Sequence, residues 1–367
     1  MKIIHSGSDI TPAFQAEDSA VCVFEISERY APIFDVFMKS FLKHCSSTHN
    51  YDIIIFSSDI QSESEAIILG EVSGLPNISL RFFNPHAIVQ QYISENPHRY
   101  LDLNYYRLAL PWILENYDRA LNFGVDMIIL RDVFDLFTTP MESDMFIAGA
   151  RDLDYVGRLN TDIPASELAL SIPQNYINAD VLLYHLKRIR ENTQMDSLMD
   201  VWKQYRFRLA EQDVLNLYFE DHILFLDGRW NVFPKGMISD ERIQMADAFY
   251  QQEWEDCLAD PYIVHFAGTP KPWYDPNVGY STTWWQYATE SCYYPVLINQ
   301  MIEHRVAKKK KPLLNRVIDC VLPKNTTTEM SVKNTAVWKK LRKVYHIIKK
   351  DPDMGRFGKR RRENDRN

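Results

Sequence analysis

Residues 20–56 read AVCVFEISERYAPIFDVFMKSFLKHCSSTHNYDIIIF and decide the fold. The apolar run Ala20–Ile26 predicts a buried strand, and Ile53–Phe56 predicts a second one. Between them, apolar residues from Ile33 to Leu42 recur at spacings of three and four, which predicts one face of a helix. A strand, a helix and a strand at this spacing favour a right-handed parallel unit. Ligands bind beyond the carboxyl ends of such strands, where residues 27–30 lie.

Similar elements alternate through the rest of residues 20–300. A helix is expected from about Leu103 to Glu115, and short strands at 119–123, 127–130 and 146–150. A further apolar run covers 178–186, and helical spacing covers 211–219. Such alternation predicts one doubly wound α/β domain. We expect residues 1–19 to be an N-terminal extension of that domain.

Composition is that of a soluble globular protein, with 46% hydrophobic and 25% charged residues. No run of about 18 apolar residues occurs, so no transmembrane helix is predicted. Residues 1–20 lack the apolar core of a secretory signal. The five cysteines are scattered without a CxxC pair, which predicts reduced thiols and a cytoplasmic location. That location includes peripheral attachment to the inner face of the plasma membrane.

The net charge of -8 conceals two oppositely charged parts. Residues 301–367 carry 20 Lys and Arg against 7 Asp and Glu, a balance of +13, whereas residues 1–300 carry 21 against 42, a balance of -21. Apolar stripes within 301–350 predict basic amphipathic helices, and 351–367 is predicted to be disordered. Such a tail could bind an anionic membrane surface or pack against the acidic domain, and charge alone does not decide between these alternatives. Nucleic-acid binding is not expected, because no RNA-reading motif accompanies the basic run.

Four segments carry the chemistry. They are YYRL at 105–108 with YDRALNFGVD at 117–126, NADVLL at 178–183, QDVLN at 212–216 with DGRWN at 227–231, and HFAGTPKPW at 265–273. Each is weak alone, but their order and spacing make the chain resemble glycosyltransferase family 8, which includes glycogenin and bacterial lipopolysaccharide hexosyltransferases. The resemblance covers roughly residues 20–287 and not the tail.

This resemblance implies a GT-A fold and a retaining transfer of a hexose from a UDP-sugar to a saccharide or glycolipid acceptor. In bacteria that transfer would serve cell-surface polysaccharide or lipopolysaccharide synthesis. The family holds Mn²⁺ or Mg²⁺ with an Asp-x-Asp motif and a distant histidine, and carboxylate and imidazole ligands suit such ions. Asp126 matches the second Asp and His265 the histidine. Gly124 stands where the first Asp would be, and Asp180 replaces a glycine beside the sugar pocket.

The resemblance also assigns the remaining site residues. Those expected to be catalytic, beside the anomeric carbon, the acceptor and the sugar hydroxyls, are Gln212, Asp213 and Asp152. Those expected to bind the donor are Tyr30 on uracil, Arg107, Asn178 and Asp180 near the sugar, and Gly268 and Lys271 at the diphosphate. The family pattern is broken at Ser27 and Glu28, where an Asp usually precedes the tyrosine, and at Glu211, which replaces an Asp.

Two alternatives stay open at the level of sequence. Gly124 and Asp180 are also compatible with a catalytically degenerate protein that binds a nucleotide sugar without turnover. Gln212 and Asp213 could simply begin a helix, since carboxylates favour its first turn. For the active enzyme, no carboxylate is placed as a covalent nucleophile of the kind retaining hydrolases use. A front-face substitution is therefore expected, with the leaving diphosphate helping to deprotonate the acceptor.

Overall fold

A computed structural model describes residues 10–15, 18–95, 102–159, 168, 170–204, 207–238 and 248–309. The chain divides into two units, residues 1–305 and 306–367, and the described residues fall almost wholly in the first. The predicted basic tail lies outside the described residues from 310 onward, as do most of residues 1–19. Within the described residues, no helix is both long and apolar enough to cross a bilayer.

The elements follow the predicted alternation. The strands are β1 (Ser19–Glu25), β2 (Asn50–Phe56), β3 (Ile78–Phe83), β4 (Ala120–Phe123), β5 (Met127–Ile129), β6 (Ile147–Arg151), β7 (Ile177–Tyr184), β8 (Ile223–Phe225) and β9 (Ile263–His265). The helices are α1 (Ala31–His44), α2 (Ser62–Glu71), α3 (His86–Glu95), α4 (Asp102–Ile113), α5 (Phe134–Phe137), α6 (Leu153–Leu159), α7 (Leu186–Asn192), α8 (Met195–Gln204), α9 (Glu211–Tyr218), α10 (Ala248–Ala259), α11 (Ser281–Ala288) and α12 (Tyr294–Lys309).

Seven strands form the main sheet in the order β3-β2-β1-β4-β7-β6-β8. The first four are parallel, which confirms the parallel unit predicted for β1 and β2, but β7 runs antiparallel to both of its neighbours, β4 and β6. Hydrophobic alternation carries no information on strand direction, so the sequence did not reveal this reversal. Because β7 is reversed, its first residues lie at the edge where β1 and β4 end.

Strand β1 is buried on both faces, which explains why its sequence is a continuous apolar run. Cys22 and Phe24 face the core under α1, and Val21 and Val23 face the core under α4. The Phe24 ring lies 5.1 Å from those of both Phe34 and Phe37 on α1, in edge-on packing. The predicted strand and helix are therefore joined by aromatic contacts that the spacing of three and four residues creates.

The substitution Phe24→Ala tests this core. Phe24 is fully buried, so we expect it to lower the free energy of unfolding by about 3–5 kcal/mol, as large cavities in cores do. The matched control is Phe249→Ala, because Phe249 is 68% exposed and should change stability by less than about 0.5 kcal/mol. Urea denaturation of both variants measures the difference, and equal stabilities would contradict the packing.

Candidate active site

The two-stranded sheet brings together two residues that are far apart in sequence. Strand β5 leaves the main sheet and pairs antiparallel with β9, with Met127 opposite His265. The backbone N–H of Phe266 then donates to the carbonyl of Asp126 at 2.8 Å. Asp126 directly precedes β5 and His265 ends β9, so this pairing fixes the aspartate beside the histidine.

Asp180 enters the same cluster from β7. One ligand atom each from Asp126, Asp180 and His265 lies within 4.8 Å of the others. The Nε2 atom of His265 is 3.4 Å from Asp126 Oδ1 and 3.4 Å from Asp180 Oδ2. The histidine is fully buried, whereas the two carboxylates are partly exposed, so the cluster opens to solvent on the carboxylate side.

The hydrogen bonds of His265 determine which of its nitrogens is free. Asn231 Nδ2 donates to Asn178 Oδ1 at 2.9 Å, which turns Asn231 Oδ1 toward His265 Nδ1, 2.9 Å away. In the neutral ring Nδ1 therefore donates and Nε2 carries the lone pair. Among the described residues, buried Nε2 has no hydrogen-bond partner. The imidazole nitrogen of His265 and the carboxylates of Asp126 and Asp180 together form a set of ligands that fits a divalent cation. The residues present therefore fit the metal that the family implies.

Lys271 reaches the cluster from the loop after β9. Its ammonium group contacts Asp126 Oδ2 and donates to the carbonyl of Phe266 at 2.5 Å. Burial raises the pKa of Asp126, but the charge of the adjacent Lys271 ammonium group outweighs burial and holds that pKa below its usual value. Asp126 is therefore ionised at neutral pH. In the same loop Gly268 has a φ of +74°, a left-handed conformation that favours glycine.

A second group of polar side chains is joined to the cluster by hydrogen bonds. Asp152 Oδ2 accepts from Asn178 Nδ2 at 3.0 Å and from Gln212 Nε2 at 2.9 Å, and Asp152 Oδ1 accepts from the Tyr155 N–H at 2.9 Å. Gln212 Oε1 accepts from the N–H of Ala179 at 2.9 Å. Three predicted residues, Asp152, Asn178 and Gln212, are therefore held together, and Asn231 links them to His265.

Asn231 lies within the DGRWN segment but was not predicted as a site residue. Asn231 ends the short 3₁₀ helix Gly228–Asn231 and is buried, so its amide needs hydrogen-bond partners. What the sequence did not supply was the fold, which brings residues 178, 231 and 265 into one line of hydrogen bonds.

Arg107 lies on α4 among three carboxylates. Its Nη1 is 2.8 Å from Asp180 Oδ1 and 3.1 Å from Glu211 Oε1, and its Nη2 is 3.3 Å from Glu25 Oε2. Burial raises the pKa of Glu25 to about 7, and the charge of Arg107 only partly offsets it. Burial likewise raises the pKa of Glu211. One guanidinium thus faces an excess of acidic groups on this side of the site.

Asp213 is placed differently from its neighbour Gln212. Its Oδ1 accepts from the Tyr176 hydroxyl at 2.5 Å, and its Oδ2 accepts from the N–H groups of Arg208 and Leu209 at 2.7 and 2.8 Å. Asp213 is almost fully buried and ties the loop before α9 to Tyr176. Its predicted place beside the acceptor stays a prediction, and the contacts give it a positioning role.

The predicted uracil-stacking residue lies at the carboxyl end of β1. Tyr30 closes the short 3₁₀ helix Glu28–Tyr30 and is 36% exposed, so its ring is accessible. The Glu28 carboxylate contacts the start of α2, where its oxygens accept from the Gln61 N–H at 2.9 Å and the Ser64 hydroxyl at 2.8 Å. Glu28 therefore caps the start of α2.

Comparisons with known proteins identify the family. The model of the family described as Glycosyl transferase family 8 matches residues 21–276. The chain is 26% identical over 258 residues to glycosyltransferase GlyF of Streptococcus pneumoniae, covering 68% of this chain and 56% of GlyF. It is 22% identical over 195 residues to general stress protein A of Bacillus subtilis, covering 51% and 62%. The chain thus spans a little over half the length of these relatives.

Solved structures resemble the fold. The bifunctional glycosyltransferase WbbM superposes with a TM-score of 0.72 at 20% identity, covering 80% of this chain and 53% of WbbM. The galactosyltransferase LgtC, solved with donor and acceptor sugar analogs, superposes with a TM-score of 0.59 at 20% identity, covering 74% and 96%. These likenesses confirm the α/β GT-A fold that the motifs implied.

The buried Glu25 predicts a pH dependence of stability. Its folded pKa of about 7 lies above the unfolded value, so the folded state binds the extra proton and its stability falls as pH rises from about 4.5 to 7. Glu25→Gln removes this titration. As pH rises across that window, the free energy of unfolding of the variant should increase relative to that of the wild type. Urea denaturation at several pH values measures this difference. A difference that does not change with pH would contradict the assignment.

Proposed function

The chain belongs to glycosyl transferase family 8, as its motifs predicted, and on that premise we propose that it transfers a hexose from a UDP-sugar to a saccharide acceptor with retention at the anomeric carbon. The observation that carries this proposal is the convergence of Asp126, His265 and Lys271 beside the Asp152–Gln212 group. One side of the site offers a basic group and cation ligands, which suit a diphosphate. The other side offers hydroxyl-binding groups, which suit a sugar joined to that diphosphate.

Asp126 and His265 would hold the divalent cation, Mn²⁺ or Mg²⁺. When bound, the cation neutralises charge on the leaving diphosphate. Lys271 adds a point charge at the same place, and the left-handed backbone at Gly268 lets an N–H approach the phosphates. Lys271 contacts Asp126, so its ammonium group lies beside the proposed cation site, where the diphosphate would bind.

The sugar would lie between Asp152, Asn178 and Gln212 on one side and Arg107 on the other. Asp152 accepts three hydrogen bonds and Asp213 accepts three, so both are held as fixed acceptors rather than as free nucleophiles. This arrangement supports front-face substitution, in which the leaving diphosphate receives the acceptor proton. Tyr30 would stack on uracil. The chain's contribution is then positioning and charge stabilisation.

We further propose that the transferase domain spans residues 20–300 and acts on a cell-surface saccharide in bacteria. Attachment of residues 301–350 to an anionic membrane rests on their basic, amphipathic sequence, because this tail lies almost wholly outside the described residues. Packing of the tail on the acidic domain is the competing proposal. Sedimentation of the full chain with anionic vesicles at low and high salt decides between them.

The glycine at position 124 supports a second candidate function. Gly124 lacks the first carboxylate of the family motif, which favours a protein that binds a nucleotide sugar without turnover. A screen of UDP-sugars with Mn²⁺ and short saccharides distinguishes the two functions. The transferase should release UDP in an acceptor-stimulated reaction, whereas binding of UDP without release from any donor would identify the degenerate protein.

Lys271→Ala tests donor binding. Loss of a charge-assisted contact to phosphate, about 1.5–3 kcal/mol, should weaken UDP binding roughly ten- to a hundredfold. The matched control is Lys187→Ala, since Lys187 is an exposed lysine on α7. Calorimetric titration with UDP at saturating Mn²⁺ measures both. Absence of UDP binding by the intact protein would disprove the proposed donor.

A further inference from the structure

Gly124 and Asp180 are neighbours across two paired strands. The β4–β7 ladder pairs Phe123 with Val181, and the Gly124 N–H donates to the Asp180 carbonyl at 2.8 Å. A Cβ added at position 124 would lie 2.9 Å from Asp180 Oδ1 and 3.0 Å from both Cβ and Cγ of Asp180. The side chain of Asp180 therefore fills the space that a side chain at position 124 would need.

Fixed partners orient the Asp180 carboxylate. Its Oδ1 lies 2.8 Å from Arg107, which Glu211 and Glu25 hold from the other side. Its backbone N–H donates to Asn178 Oδ1 at 3.0 Å. The other oxygen, Oδ2, faces His265 Nε2 at 3.4 Å. One oxygen is thus anchored while the other is presented to the Asp126–His265 cluster.

The buried histidine supplies an independent reason for a ligand here. His265 Nε2 is fully buried, has no hydrogen-bond partner among the described residues, and points between Asp126 and Asp180. With Nδ1 committed to Asn231, the Nε2 lone pair faces two carboxylates. A cation at this point would satisfy all three groups at once.

We propose that Asp180 is itself a ligand of the divalent cation, and that Gly124 is required because it leaves room for that carboxylate. The inference rests on the proposed function, since it concerns the same cation. It also explains two of the departures from the family pattern, at Gly124 and Asp180, together: the carboxylate absent at 124 is supplied from 180, on the facing strand. The cation site then keeps three protein ligands, Asp126, Asp180 and His265.

The first experiment measures Mn²⁺ affinity of the full chain by calorimetry, without UDP and then with it. Asp180→Asn should weaken Mn²⁺ binding at least about tenfold, since even residues that only support the ligands of a metal typically contribute 10–100-fold to its affinity. Glu211→Gln is the matched control, because it removes another carboxylate bonded to the same Arg107 nitrogen and should change the affinity much less. Equal losses in both variants would overturn the inference, since charge alone would then explain them.

The second experiment exchanges the two positions. Gly124→Asp alone should lower the melting temperature and fail to raise Mn²⁺ affinity, because the added side chain meets Asp180. The double variant Gly124→Asp with Asp180→Gly should recover both stability and Mn²⁺ affinity relative to Gly124→Asp or Asp180→Gly alone. Additive losses in the double variant would overturn the proposed exchange.

A third variant distinguishes a ligand from a residue that only positions others. Asp180→Cys should shift preference from Mn²⁺ toward Cd²⁺ and add ultraviolet thiolate–Cd²⁺ absorption to that of the wild-type cysteines, measured as the difference between the two proteins. No new absorption would overturn direct coordination. Titrations without UDP keep the proposals separable. Mn²⁺ bound through Asp180 without affinity for UDP contradicts only the proposed donor, whereas Mn²⁺ and UDP bound with wild-type affinity by Asp180→Asn contradict only this inference.

Discussion

The pairing of β5 with β9 is the interaction on which the site depends. It places Met127 opposite His265, and with it Asp126 beside a histidine 139 positions later in the chain. A shift of this register by one residue would turn His265 to the opposite face of its strand. Lys271 follows β9 by six residues, so the same pairing also determines where its ammonium group lies.

From this point hydrogen bonds extend through the buried polar residues of the site. His265 contacts Asn231, Asn231 contacts Asn178, and Asn178 shares Asp152 with Gln212. Buried amides and carboxylates are costly unless they are paired, and here each is paired with the next. The proposed cation end and the proposed sugar end of the site are therefore held as one unit, which suits a reaction that relies on positioning.

Sequence reasoning predicted the strands and helices of the first half of the chain in part, and it named most of the residues that lie together at the site. It did not predict helices such as α3, α8 and α10. The strand at residues 20–26 and the helix after it were predictable because a strand buried on both faces and an amphipathic helix have distinct periods. The reversed direction of β7 was not predictable, and neither was the contact of Asp180 with Gly124 that follows from it. Glu25 was hidden inside an apolar run, and only the fold revealed that it reaches Arg107. The predicted tail lies almost wholly outside the described residues.

We propose that Asp126, Asp180 and His265 surround a divalent cation beside a bound UDP. Anomalous diffraction at the manganese edge, from crystals of the protein grown with UDP and Mn²⁺, tests it most directly. We expect one strong anomalous peak within bonding distance of His265 Nε2 and of a carboxylate oxygen from each aspartate, next to the diphosphate. Bound UDP without such a peak, or a peak that excludes Asp180, would contradict it.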